Sequence, residues 1–199
     1  MPWRSPLWGP LRLGEQKGGT VYRLFVAVDL PETVRQLTAE LRGGIPGARW
    51  VPAEQLHLTL RFIGDADETR FQAIRERLGR ITAKQFPMAL QGTGCFPSPK
   101  RPRILWVGVE AGEPLTHLQR QVEEALVALG ITPEDRPFSP HITLARLKEP
   151  RTSEVIAFNA THGTLHSAPW TVDAFYLYSS TLTSQGASHR REATYPLTV

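Results

Sequence analysis

HLTLRFIG, from His57 to Gly64, and its near copy HITLARLK, from His141 to Lys148, decide how this chain folds. Side chains alternate between the two faces of a strand, so His57 and Thr59 share one face while Leu58 and Leu60 take the other. In the second copy His141 and Thr143 face one way, Ile142 and Leu144 the other. Each stretch therefore offers an imidazole and a hydroxyl side by side, over an apolar face that can anchor in a core. Two such strands turned toward one cleft would supply a paired acid and base.

The motif alone carries little weight. With 6 histidines and 18 threonines in 199 residues, about half an H-x-T match arises by chance. A third match, HGTL from His162 to Leu165, has Gly163 in the strand-interior position and loop-forming Asn159, Ala160 and Ser167 around it, so it is expected to be a decoy. What distinguishes the other two is that their surroundings repeat. Before the first, RLFVAVDLP alternates from Arg23 and stops at Asp29, and Pro31 to Leu41 places Val34, Leu37 and Leu41 at helical spacing. GGIPG, Gly43 to Gly47, ends that helix. Before the second, RILWVGVE alternates from Arg103, and Pro114 to Leu129 carries Leu115, Leu118, Val122, Leu126 and Leu129 in a helical stripe closed by Gly130. The linker TPEDRPFSP then leads into the motif. Arg23 precedes His57 by 34 positions and Arg103 precedes His141 by 38. Strand, helix, linker and motif strand occur twice, which marks an internal duplication with units at about 23–64 and 103–148.

Between the units the spacing predicts a helix from about Asp67 to Ile81, with Phe71, Ile74 and Leu78 on one side, and a strand from Phe86 to Phe96. After the second unit it predicts a short helix near Ser153 to Asn159, then closing strands in WTVDAFYLYSS, Trp170 to Ser180, and around Arg191 to Leu197. The expected architecture is α+β and bilobal, with two antiparallel sheets lining a central cleft and the helices outside. Residues 1–20 hold three prolines and four glycines with no apolar period and read as a flexible extension. Residues 21–199 read as a single bilobal catalytic domain.

With 41% hydrophobic residues the chain can bury a substantial core. The single cysteine, Cys95, excludes an internal disulfide and fits a reducing compartment. No run approaches the roughly 18 apolar residues of a membrane span, and the N-terminal stretch lacks the apolar block of a signal peptide. A cytoplasmic monomer without membrane attachment is expected. The net charge of +4 fits a polyanionic partner without requiring one. PSPKRPR, Pro97 to Arg103, adds a local cluster of three cations just before a strand, where phosphate would be a natural ligand.

Cleaving a phosphodiester by an in-line path needs a proton taken from the attacking oxygen and another given to the leaving oxygen. Two groups that titrate near neutrality, on opposite sides of phosphorus, suffice. His57 and His141 fit that need, and Thr59 and Thr143 could donate to the non-bridging oxygens as negative charge builds up. Arg146, five residues after His141, could reach the end of the groove. Phe62 and Phe138 are the preferred rings for stacking on a base, with Trp50 and Phe96 also near the motifs. No H-E-x-x-H helix, G-x-S-x-G elbow, Walker loop or dinucleotide glycine pattern is present. Neither a metal nor another cofactor is expected.

RLFVAVDLP, ARWVPAEQLHLTLRFIGD, KRPRILWVGVE and RPFSPHITLARLK resemble the 2H phosphoesterases, and within them the RNA 2′,3′-cyclic phosphodiesterases historically called 2′-5′ RNA ligases. The resemblance runs from about Tyr22 to the C-terminus. It implies a bilobal α+β fold with the two H-x-T-x motifs facing each other. It also implies metal-independent hydrolysis of a 2′,3′-cyclic phosphate at an RNA end to a 2′-phosphate, with His57 as proton donor and His141 as proton acceptor. ATP-independent 2′-5′ joining of RNA ends is implied as a side capability. Two alternatives stay open on the residues alone: a non-catalytic RNA-binding protein, and a phosphodiesterase for small cyclic nucleotides.

Overall fold

A computed structural model describes residues 20–183 and 186–199. The extension expected over residues 1–20 lies outside the described residues apart from Thr20. The first unit runs β1 (Tyr22–Asp29), α1 (Glu32–Glu40), β2 (Arg49–Trp50), a 3₁₀ turn (Ala53–Gln55) and β3 (His57–Ala66). Then come α2 (Glu68–Leu78) and β4 (Phe86–Phe96). The second unit is β5 (Ile104–Glu110), α3 (Gly112–Val127) and β6 (His141–Arg146), followed by α4 (Thr152–His162), β7 (Trp170–Val172), β8 (Ala174–Thr183) and β9 (Gly186–Pro196).

The apolar stripes do what their spacing implies. Phe71, Ile74 and Leu78 of α2 are buried, as are Leu115, Leu118, Val122 and Leu126 of α3. Asp67 starts α2 by accepting the backbone N–H of Arg70 at 2.8 Å, a cap worth about 1 kcal/mol. On the motif strands Leu58, Leu60, Ile142 and Leu144 are all buried, each contributing roughly 1.5–3 kcal/mol as area removed from water. Their alternate neighbours His57, Thr59, His141 and Thr143 stay half-buried on the opposite face.

Sheet order reveals the duplication directly. The path is β7-β4-β5-β6-β3-β1-β8-β9, with β2 added beside β6. Read from its centre outward, each half presents a motif strand, then its unit's first strand, then a partner from elsewhere in the chain. The expected two antiparallel sheets are these halves, and they are continuous: β6 and β3 meet through one residue pair, Leu58 opposite Ile142. Those two residues hold the same place in their repeats. The pseudo-twofold axis therefore passes between them, and the histidines immediately before them fall on either side of it.

Three elements differ from expectation. WTVDAFYLYSS is two strands: β7 pairs with β4 in one half and β8 with β1 in the other, so the chain changes lobe at Asp173 while its alternation continues. The helix expected near Ser153–Asn159 extends to His162, absorbing the decoy histidine into its last turn. β9 begins at Gly186, five residues before the expected Arg191, because pairing with β8 holds a stretch that has no apolar alternation of its own.

Candidate active site

A cleft of about 470 Å³ lies at the junction of the two half-sheets. His57, Thr59 and Phe62 reach it from β3, His141, Thr143 and Arg146 from β6, and Phe138 from the α3–β6 connection. All seven residues singled out on the sequence are thus brought to one cavity. His162 is not: it sits at the end of α4 against Phe158, with ring centroids 4.5 Å apart, and lines a separate hollow of about 530 Å³.

The two histidines are held alike. The Nδ1–H of His57 donates to the carbonyl of Gln55 at 2.7 Å, and that of His141 to the carbonyl of Ser139 at 2.7 Å. A carbonyl can only accept, so each bond fixes the tautomer with the proton on Nδ1 and leaves Nε2 to exchange protons. Both anchors lie two residues upstream, a signal that no side-chain pattern carries.

Beyond that anchor the environments diverge. The ring of Phe25 stacks on His57 at 4.8 Å and on Tyr178 at 5.3 Å. His141 instead meets the edge of Phe96 at 4.9 Å and a tilted Trp106 at 6.4 Å. Gly94 makes room for that indole, since a Cβ there would lie 2.2 Å from Trp106 Cζ2. In β1 Asp29 pairs opposite His57, whereas Gly108 of β5 pairs opposite His141. Of the two motif histidines, only His57 has a carboxylate paired opposite it among the described residues. Asp29 accepts the Tyr178 hydroxyl at 2.7 Å and is ion-paired with Arg191. The duplication also puts unlike groups in like places. Phe62 and Arg146 each follow their histidine by five residues, so one half offers an aromatic ring where the other offers a guanidinium.

Cationic charge in the cleft comes from Arg49, Arg136 and Arg146, and from Arg61, which is ion-paired with Glu123. Arg49 and Arg146 are direct cross-strand partners, an arrangement of like charges that is unfavourable unless an anion offsets it. Burial first, and Arg49 second, push the Arg146 pKa down. The cluster Lys100, Arg101 and Arg103, to which phosphate was assigned on the sequence, is exposed on the β4–β5 connection and does not line the cleft. The sequence reading also passed over Phe25, Asp29, Trp106, Tyr178 and His189, all supplied by strands whose register places them beside the motifs.

Burial, and then the neighbouring His189, push the His57 pKa down from about 6.5 to about 4; the bond to Gln55 and the charge of Asp29 oppose this. Burial also lowers His141, against the bond to Ser139, and lowers His189, with Arg146 adding to the effect. All three imidazoles bind protons less readily folded than unfolded. Their contribution to stability is therefore complete above about pH 6.5 and is lost as the pH falls toward 4, a loss of about 3 kcal/mol for His57 alone. Urea midpoints measured from pH 7 to pH 4.5 are expected to fall in this window, and to fall less in His57→Gln; an equal fall in the variant would contradict the assignment.

A curled antiparallel sheet with two H-x-T strands meeting at its centre defines a two-histidine phosphoesterase. The chain belongs to the 2′-5′ RNA ligase superfamily, whose family model matches residues 30–183. It is 35% identical over 172 residues to the RNA 2′,3′-cyclic phosphodiesterase of Archaeoglobus fulgidus, covering 84% of this chain and 96% of that protein. To the RNA 2′,3′-cyclic phosphodiesterase of Thermus thermophilus it is 40% identical over 177 residues, covering 82% and 84%. The structure of E. coli LigT solved with NADP+ superposes with a TM-score of 0.72 at 26% identity, covering 89% of this chain and 98% of that one. Among the described residues no helix is long and apolar enough to cross a membrane.

Proposed function

We propose that this chain hydrolyses the 2′,3′-cyclic phosphate at an RNA end to a 2′-phosphate, using His57 and His141 as an acid and base pair without a metal. The observation that carries the reading is the matched hold on the two histidines, each fixed through Nδ1 to the carbonyl two residues upstream, in one cleft. The names of the relatives point the same way. The single bilobal unit of residues 21–199 is the catalytic unit on this reading, because the cleft takes residues from both halves.

The reaction balances with these groups alone. Water attacks phosphorus and gives its proton to Nε2 of His141. The bond from phosphorus to O3′ breaks, and Nε2 of His57 delivers a proton to that oxygen, leaving a 2′-phosphate and a 3′-hydroxyl. Thr59 and Thr143 donate hydrogen bonds to the non-bridging oxygens, and Arg146 and Arg49 offset their charge. Phe62 and Phe138 offer rings to the base. The register supports this direction: Asp29, opposite His57, favours the imidazolium that a proton donor must be, whereas Gly108 stands opposite His141. Burial keeps His57 neutral at pH 7, so its proton arrives together with the anionic substrate. A 5′-hydroxyl in place of water would give a 2′-5′ linkage by the same steps.

Incubation with an oligonucleotide ending in a 2′,3′-cyclic phosphate, followed by product analysis, is expected to give the 2′-phosphate at undiminished rate in EDTA. A 3′-phosphate product would reverse the bond assigned to break. Salt-dependent RNA binding without turnover would favour a binding protein instead, and faster turnover of a cyclic mononucleotide than of the oligonucleotide would favour a small-molecule substrate.

A further inference from the structure

The cleft holds a third imidazole that the two-histidine chemistry does not use. His189 reaches it from β9, on the face shared by Ala187, which also lines the cleft, and Arg191. Its ring stands edge-on to His57, with centroids 5.4 Å apart and planes at 86°, and edge-on to Phe25 at 5.0 Å and 75°. His57, Phe25 and His189 thus form one mutual cluster of three rings, in which His57 packs on the face of Phe25 and against the ring of His189. Among the described residues no third imidazole stands beside His141, whose ring neighbours are Phe96 and Trp106. His189 Nδ1 is enclosed and has no hydrogen-bond partner among the described residues, so no internal bond accounts for an imidazole at this position.

We propose that His189 is a positioning residue for the proton transfer, acting through His57: its ring fixes the plane of the His57 imidazole, and its charge competes with the charge on His57. The inference rests on the two-histidine reading of the site. At this separation two imidazolium ions repel by an amount that matters in a partly buried cleft. The other charged or titratable groups facing the pair are Asp29 from β1, Tyr178 from β8, His141 and Arg146 from β6 and Arg191 from β9. Asp29 is already engaged by Tyr178 and Arg191 and so compensates only in part. Tyr178, pushed up to about 12 by burial and by Asp29, stays a neutral donor. With Arg146 also facing His189, the positive charge around His57 resists a proton there, and an anion entering between them removes that resistance. His189 thereby couples loading of the acid to arrival of the phosphate.

The test is titration of the individual histidine rings by nitrogen-15 NMR in the wild-type protein, His189→Phe and His189→Gln, together with the pH profile of kcat/KM on a cyclic-phosphate-ended oligonucleotide. Both variants remove the competing charge, and only phenylalanine keeps a ring. The His57 midpoint is expected to rise by about half a unit or more in both, with His141 unmoved and the His57 limb of the profile moving by the same amount. The glutamine variant is expected to lose severalfold more kcat than the phenylalanine variant. An unmoved His57 midpoint in both variants overturns the charge role, and equal kcat losses overturn the positioning role. Ring titration needs no substrate, so a protein that turns over no cyclic phosphate would overturn the reading of the site while the coupling was still decided.

Discussion

Replacing His141 by alanine is expected to lower kcat on a cyclic-phosphate-ended oligonucleotide by about 10³-fold or more, and His57→Ala by a similar factor, since each removes a general acid or base. Both side chains stand on the polar face of their strands, and the neighbouring Leu58 and Ile142 that join the half-sheets are untouched, so both variants are expected to fold. The similar losses hide different causes, which a change of leaving group separates. A phosphodiester with an acidic aryl alcohol as leaving group needs no protonation there, so His57→Ala should recover most of its deficit on that substrate while His141→Ala recovers none. Recovery in His141→Ala instead would reverse the roles of the two histidines. Full activity of either variant on the natural bond would remove the two-histidine mechanism altogether.

The sequence carries this pair because two independent patterns agree on it. Alternation puts His57 and Thr59 on one face, and the repeated strand, helix and linker put His141 and Thr143 in the matching place across an axis. Neither pattern needs long-range contacts. Phe25, Trp106 and Asp29 lie beyond such reading because their relation to the histidines is set by strand register, and β1 and β5 each pair with their motif strand through an irregularity. His189 is hidden for a different reason. In GASHRRE one face carries Ala187, His189 and Arg191 and the other Ser188, Arg190 and Glu192, so no apolar alternation announces a strand; pairing with β8 alone makes it one. The basic cluster at Lys100–Arg103 misled because local charge density says nothing about where a loop points. The arginines that line the cleft are scattered in sequence at 49, 61, 136 and 146.

Arg61→Ala is expected to destabilise the protein by about 3 kcal/mol, at the low end of the range for breaking a buried ion pair. Arg61 follows the first motif on β3 and is only 8% exposed. Its guanidinium is ion-paired with Glu123 of α3 and lies 3.8 Å from Glu134. It also donates to the carbonyls of Phe62 and Thr132, each at 2.5 Å. Glu123 in turn accepts the backbone N–H of Glu134 at 2.9 Å. Together Arg61 and Glu123 fasten the α3–β6 connection of the second unit to the motif strand of the first. That connection supplies Phe138, and its Ser139 carbonyl holds His141 in its tautomer. Truncating the arginine leaves Glu123 without its partner and the Thr132 carbonyl without its donor, and the side chain of Glu123 is itself only 20% exposed. Chemical denaturation should show the loss as a lower midpoint at unchanged slope. Pairing Arg61→Met with Glu123→Leu should restore much of the stability, because an apolar pair leaves no charge stranded. It should not restore activity, because the bond to Thr132 that steadies the approach to His141 is still missing. A midpoint unchanged in Arg61→Ala, or full activity in the double variant, would show that the connection holds its shape without this strut.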